Sequence, residues 1–244
     1  MNATLPQPPP NAPAPPPSEA ALRSRQWWKW IWIVGAVSVI GVFVIGFIMP
    51  VVFSASKKSN TVKAVSNAKQ IGIALFSFAE DYGTYPSAAT IAKVRADHPG
   101  VSARMGTATS NDFFRQLIVT ECIDHEWAFH AIASGVRKPD GVMTGADMLA
   151  KGECGFSYIA GLPFPYSPPQ TPVLMTPLVP GKRLFDFKLS RKHYGGKAVI
   201  LMQDNSVLVP PVDKSGHVHL NGKDLFDPSQ PFWNGRTPDV KWPE

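Results

Sequence analysis

From Ile31 to Phe53 the chain reads IWIVGAVSVIGVFVIGFIMPVVF, 23 residues without one charged side chain. No other stretch limits the possible folds so strongly. As a helix rising about 1.5 Å per residue it covers roughly 35 Å, enough to cross a hydrocarbon core of about 30 Å with modest tilt. Trp27, Trp28, Trp30 and Trp32 crowd its entrance with Lys29 among them, and amphipathic rings beside a snorkelling cation suit a membrane interface. Gly35, Gly41 and Gly46 are costly in a soluble helix but ordinary in lipid. The run predicts a membrane helix over residues 27–55, bent slightly at Pro50. A cleaved signal peptide is the competing reading. Its apolar core normally spans about 7–15 residues behind a short basic start. Here the run is longer and begins thirty residues in, although Phe53–Ser56 (FSAS) offers small residues near a possible cut. No second run of this length follows, so one crossing is expected.

Residues 1–26 are of another kind. Eight of the first 17 residues are proline, among Ala, Asn and Gln. Such a segment has nothing to bury and favours extended polyproline II, as a solvated tail or as a ligand for a proline-binding module. The net charge of +6 is spread in ones and twos with no basic block, which argues against nucleic acid as a partner. Arg23, Arg25 and Lys29 precede the apolar run, and Lys57, Lys58, Lys63 and Lys69 follow it. That balance leans away from an inside amino terminus.

Behind the run comes SNAKQIGIALFSFAEDYGTYP, Ser66–Pro86. Ala68, Ile71, Leu75, Phe78 and Tyr82 recur at spacings of three and four, one face of an α-helix. Ser66, Gln70, Ser77 and Glu80 take another face, while Ile73 and Phe76 widen the apolar side, so cover on more than one flank is expected. Gly83 supplies a stop and Pro86 forbids continuation. Residues 54–65 hold neither Pro nor Gly, so residues 56–86 read as the amphipathic continuation of the membrane helix. The remainder, 87–244, reads as an α+β domain. Phe114, Leu117 and Ile118 mark a helix with Ser110 or Asn111 as cap, and Lys138–Gly141 (KPDG) reads as a turn. Four strand-like runs follow, CGFSYIAGL, PVLMTPLV, KAVILMQ and SVLVPPV, the last two joined by a tight hairpin at Asp204-Asn205, with HVHLNG as a further short strand. The expected fold class is therefore α+β, a long amino-terminal helix packed on a small antiparallel sheet.

This arrangement resembles the type IV pilin and type II secretion pseudopilin superfamily. The likeness is carried by Lys69, Gln70, Ile71, Gly72 and Ala74, then Asp81, Tyr82, Gly83, Tyr85 and Pro86, with GKAVILMQDNSV and LNGKDLFDP similar to the carboxy-terminal parts of such proteins. The resemblance implies a helix half in the cytoplasmic membrane and half against a sheet, an exported domain, and work done by packing against other pilin-like or envelope proteins. It also points to calcium in the carboxy-terminal loops, where Asp213, Asp224 and Asp227 lie, although they fit no EF-hand spacing. The chain departs from the family in lacking the Gly-Phe-Thr-Leu-x-Glu processing sequence.

Few motifs carry chemistry. His125-Glu126 and His130 are spaced HExxxH rather than HExxH. On a helix, five residues turn side chains through about 500°, leaving these two roughly 140° apart and unable to clasp one metal. Cys122 and Cys154 are the only cysteines. They read equally as a disulfide of an oxidising compartment, contributing roughly 3–4 kcal/mol, and as two separate buried thiols. His217-Val218-His219 places two imidazoles on one strand face, most simply as exposed polar residues of an edge strand. No nucleophile elbow, phosphate loop or dinucleotide fingerprint occurs. The expectation is a membrane-bound structural protein without catalysis, cofactor or metal. The alternative is a membrane-tethered domain that captures an unidentified ligand.

Overall fold

A computed structural model describes residues 19–43 and 49–244, which fall into two compact units, Met1–Phe53 and Ser54–Glu244. In the first unit helix α1 spans Glu19–Phe43. Its side chains from Trp27 to Phe43 are exposed on every side, Gly41 alone being half-buried, with Trp32 at 73% and Val42 at 72%. Among the described residues no helix is long and apolar enough to cross a membrane. The predicted membrane segment runs through residues 44–48, which lie outside the described residues, as does the tail over residues 1–18. Helix α2 is described from Met49 to Tyr82, so Pro50 lies at the start of its described part.

In the second unit α2 is followed by α3 (Ile91–Asp97), α4 (Ser110–Val119) and a 3-10 turn at Glu126–Phe129. Then come β1 (Ser157–Ala160), β2 (Pro172–Thr176), α5 (Phe187–His193), β3 (Val199–Met202), β4 (Val207–Leu208), β5 (His219–Leu220), β6 (Lys223–Asp224) and β7 (Asp239–Lys241). Five strands make one antiparallel sheet in the order β4-β3-β2-β1-β7, and β5 and β6 form a separate hairpin. The fold is mixed α+β around an antiparallel sheet.

Strand register explains why this sheet is buried on both faces. Tyr158, Leu174 and Leu201 stand opposite one another across β1, β2 and β3 and join the core that holds Ile71, Leu75, Phe78, Phe113, Phe114 and Leu117. Their neighbours Ile159, Met175 and Ile200 point the other way, into a second core with Phe185, Val218, Leu225 and Trp233. One apolar face was expected; two exist, because the carboxy-terminal loops form a third layer behind the strands. The unbroken apolar runs of β2 and β3 suit strands buried on both sides. Strand β7 and helices α3 and α5 lie in segments to which the sequence assigned no element.

On α2 the buried stripe is Ala64, Ala68, Ile71, Leu75 and Phe78. Of the two residues expected to widen it, Ile73 is 62% exposed, whereas Phe76 is half-buried with its ring edge-on to Tyr85 at 6.1 Å and to Phe164 at 5.6 Å. Gly83, at φ 75°, ends α2 by donating its N–H to Ala79 O at 2.8 Å. Helix α4 is capped one residue earlier than expected. Thr109 accepts the Asp112 N–H while Asp112 accepts the Thr109 N–H, a reciprocal capping box. Ser110 and Asn111 are buried instead, and Asn111 donates to Leu149 O at 3.1 Å. Lys138–Gly141 does not close as a turn, since the Gly141 N–H goes to Glu126 Oε2 at 2.8 Å.

Candidate functional site

The residues that carry the resemblance cluster where α2 meets the β3–β4 hairpin and β1. Gly72 is buried, and a Cβ there would collide with Asn205 Oδ1 and lie 3.1 Å from Leu201 Cδ2. Asn205 holds the left-handed position of the hairpin (φ 63°), where Asp204 accepts the Ser206 N–H at 2.9 Å. Gly72 is thus the point where the hairpin tip touches the helix, a close approach that only a residue without Cβ permits. Pro86 O accepts the Tyr158 hydroxyl at 3.0 Å, tying the end of the motif to β1, and Tyr85 is buried against Phe164. Phe78 stacks on Tyr82 at 4.5 Å, and the Lys93 ammonium sits 4.5 Å from the Tyr82 ring centre. Lys69 is exposed, and Gln70, also exposed, has Oε1 3.2 Å from His125 Nε2. Trp27, Trp28, Trp30 and Trp32 are exposed on α1, in the other unit.

The HExxxH residues face different ways. His125 lies 2.6 Å from Asp124 at the surface, and His130 packs beside Trp127. Glu126 turns inward, where Oε1 accepts the Leu149 N–H at 2.7 Å and Oε2 that of Gly141. Buried Glu153 accepts the N–H groups of Asp140 and Ala150 and pairs with Arg137 at 3.0 Å. Glu126, Asp140 and Glu153 can bring carboxylate oxygens within 4.8 Å of one another. Desolvation raises the Glu126 pKa, the charges of Glu153 and Asp140 add to the rise, and the two backbone N–H bonds oppose it. Both buried carboxylates are engaged as clamps on the 140–150 loop. Arg115 works the same way, donating to Met148 O and Leu149 O and pairing with Asp112 and Glu244. These clamps were not visible in sequence, because apart from Glu153 with Ala150 and Arg115 with Asp112, three residues apart, the partners named lie 13 to 129 positions away.

The disulfide is not formed: both cysteines are free. Cys154 is fully buried, its thiol donates to Phe156 O at 3.4 Å, and burial pushes its pKa up to about 12, which makes it inert as a nucleophile. Cys122 lies half-buried just past α4, where its sulfur meets the Thr120 hydroxyl. Nor do the three loop aspartates gather around one point. Asp227 accepts the Ser229 N–H at 2.8 Å, whereas Asp213 and Asp224 each face an imidazole.

Among the open grooves are two of more than 500 Å³. One of about 550 Å³ lies between residues 159–168 and 232–239, with Tyr166 (87% exposed) and Arg236 at its edge. The other, about 580 Å³, is lined by Val101, Ile118, Ile123, Met143 and Met148 with Glu121 and Asp124 on its rim. Set against known protein families, curated proteins and solved structures, the chain matches none, so its own residues carry the functional reading.

Proposed function

We propose that the chain is a single-pass, membrane-anchored, pilin-like structural or assembly protein of a bacterial cell envelope or secretion apparatus. It acts by packing against partner proteins and not by catalysis, with residues 57–244 on the outer side of the cytoplasmic membrane. The observation that carries this reading is α1. A helix exposed and apolar on every side from Trp30 to Phe43 is untenable in water and calls for lipid or protein around it. The charges on α2 add support. Lys58, Lys63 and Lys69 are exposed along its middle and Glu80 and Asp81 at its end. Glu80 and Asp81 sit in the last turn, where the helix dipole disfavours negative charge, so they do not serve the isolated helix. The arrangement suits neighbouring helices packed side by side with a stagger.

The test is a photo-cross-linker at Ile73 on the exposed face of α2, introduced into the chain in its native membrane. The expected outcome is an adduct with a second copy or with another pilin-like chain, from a protein that resists alkaline carbonate extraction. Release by carbonate, or a chain that stays uncoupled at Ile73, overturns the proposal. The alternative, a tethered ligand-binding domain, is favoured by the groove beside Tyr166, and a soluble ligand co-purifying in its place would establish it.

A further inference from the structure

The β5–β6 hairpin holds a constellation that the membrane reading does not use. Its two-residue turn is Asn221-Gly222, with φ of 52° and 77°, the left-handed pair that a tight hairpin needs. The Gln230 amide donates to Leu220 O, Lys223 O and Asp224 O at 2.9, 3.1 and 3.0 Å, and Trp233 Nε1 donates to Leu225 O at 2.6 Å. Val218 points into the second core, 1% exposed. Alternation along a strand therefore turns His217 and His219 the other way, toward solvent, and their side chains are 40% and 53% exposed. Their ring centres are 6.2 Å apart.

Each ring is held by a carboxylate. His217 Nδ1 donates to Asp224 Oδ2 at 2.7 Å, and His219 Nε2 donates to Asp213 Oδ2 at 3.3 Å. The Asp213 carboxylate is itself fixed, its Oδ1 accepting the N–H groups of Ser215 and His217 at 2.8 and 2.9 Å. Asp224 Oδ1 accepts the Phe226 N–H at 2.8 Å. A carboxylate offers only acceptors, so the ring hydrogen of each neutral imidazole sits on the nitrogen facing it. The other nitrogen, Nε2 of His217 and Nδ1 of His219, then keeps its lone pair. This is the arrangement in which a carboxylate orients a metal-ligating histidine.

We infer that His217 and His219 form a chelating site for a divalent transition-metal ion of the zinc, nickel and copper class, with Asp224 and Asp213 orienting the rings. Two imidazoles bound to one ion at about 2.0–2.1 Å put their ring centres roughly 5–6.5 Å apart, depending on the angle at the metal. The observed 6.2 Å lies at the wide end of that span, so a rotation of the rings about their side-chain bonds, with no movement of the backbone, brings them onto one ion. Calcium is the wrong ion here. It takes six to eight oxygens, whereas the outward donors are imidazole nitrogens and the carboxylates are already committed.

The test uses the full-length protein in mild detergent, titrated with Zn²⁺ against a competing chelating dye and, separately, with Cu²⁺. One equivalent of Zn²⁺ should bind, undisturbed by millimolar Ca²⁺. His219→Ala should weaken binding at least tenfold, Asp224→Asn about 10–100-fold, and the double variant His217→Ala with His219→Ala should abolish the one-equivalent site. Electron paramagnetic resonance of the Cu²⁺-loaded native chain should show couplings from two imidazole nitrogens, a readout that needs no variant to fold. Unchanged binding in the double variant, displacement by Ca²⁺, or a Cu²⁺ spectrum of oxygen ligands alone overturns the inference.

Discussion

At the scale of single residues, Gly72 shows how one missing methyl sets a tertiary contact. In an open helix Gly→Ala gains about 1 kcal/mol, but here the added Cβ meets Asn205 Oδ1, a buried oxygen without a partner, and Leu201. Gly72→Ala should therefore destabilise the protein by about 1–3 kcal/mol. Asn205 is at φ 63°, where glycine is at ease. In an Asn205→Gly background the same Gly72→Ala change should turn neutral or stabilising. Urea unfolding of the four variants checks this, and equal effects in both backgrounds would show that the contact does not limit packing. A second prediction concerns acid. Burial lowers the His130 pKa below 6.5, and the charges of Lys138 and Lys63 lower it further; His193 shifts the same way through burial and Lys192. The unfolded chain then binds protons between each lowered value and about 6.5 while the folded chain does not, so stability rises with pH across that window. Denaturant midpoints should fall as pH drops below about 6.5, and His130→Gln should flatten the slope. A midpoint level across pH 7.5 to 5.5 would refute it.

At the scale of elements, α2 has one working face. Phe78 is fully buried between the helix and the sheet, and Ile73 faces outward on the same helix. Phe78→Ala should cost about 3–5 kcal/mol, while Ile73→Ala should stay within about 0.5 kcal/mol of the native chain. Comparable losses at both positions would mean that Ile73 has a partner within the fold. The period of α2 was readable because Ala68, Ile71, Leu75 and Phe78 repeat at helical spacing, and β1 to β4 were readable from apolar runs between Pro and Gly. The burial of both sheet faces was less so. A run such as Val-Ile-Leu-Met hints at it, but the covering layer comes from loops around Phe185, Leu225 and Trp233 that carry no periodicity of their own. HVHLNG marked β5, but β6 and β7 are two or three residues long, below the length at which alternation can be seen. The pairing of His217 with Asp224 and of His219 with Asp213 needed the Asn221-Gly222 turn to bring the partners into register. The resemblance drew attention to those aspartates as oxygen ligands, and the fold gives them to imidazoles instead.

At the scale of the whole molecule, the two units call for different solvents. Ser54–Glu244 carries two apolar cores of its own, whereas the apolar side chains of α1 from Trp27 to Phe43 are exposed. A chain reduced to residues 54–244 should accordingly stay in the soluble fraction and unfold cooperatively, while the full chain should need detergent. If the chain is anchored as proposed, the side of the membrane that holds the domain is a matter of charge weighed against length. Three basic residues precede the apolar run and four follow it, which by itself favours a cytoplasmic domain. That rule governs short loops, and a domain of 191 residues (54 to 244) translocates largely regardless of nearby charge. The free thiols of Cys122 and Cys154 remove the disulfide as an argument for an oxidising compartment, so the outside placement rests on length and on the pilin resemblance. Protease added to intact spheroplasts should digest or release the domain and leave the proline-rich tail protected. A tail that is cut while the domain survives, in cells whose lysed controls are digested, would invert the orientation. It would also place α2 and its exposed lysines in the cytoplasm, where pilin-like neighbours are not expected.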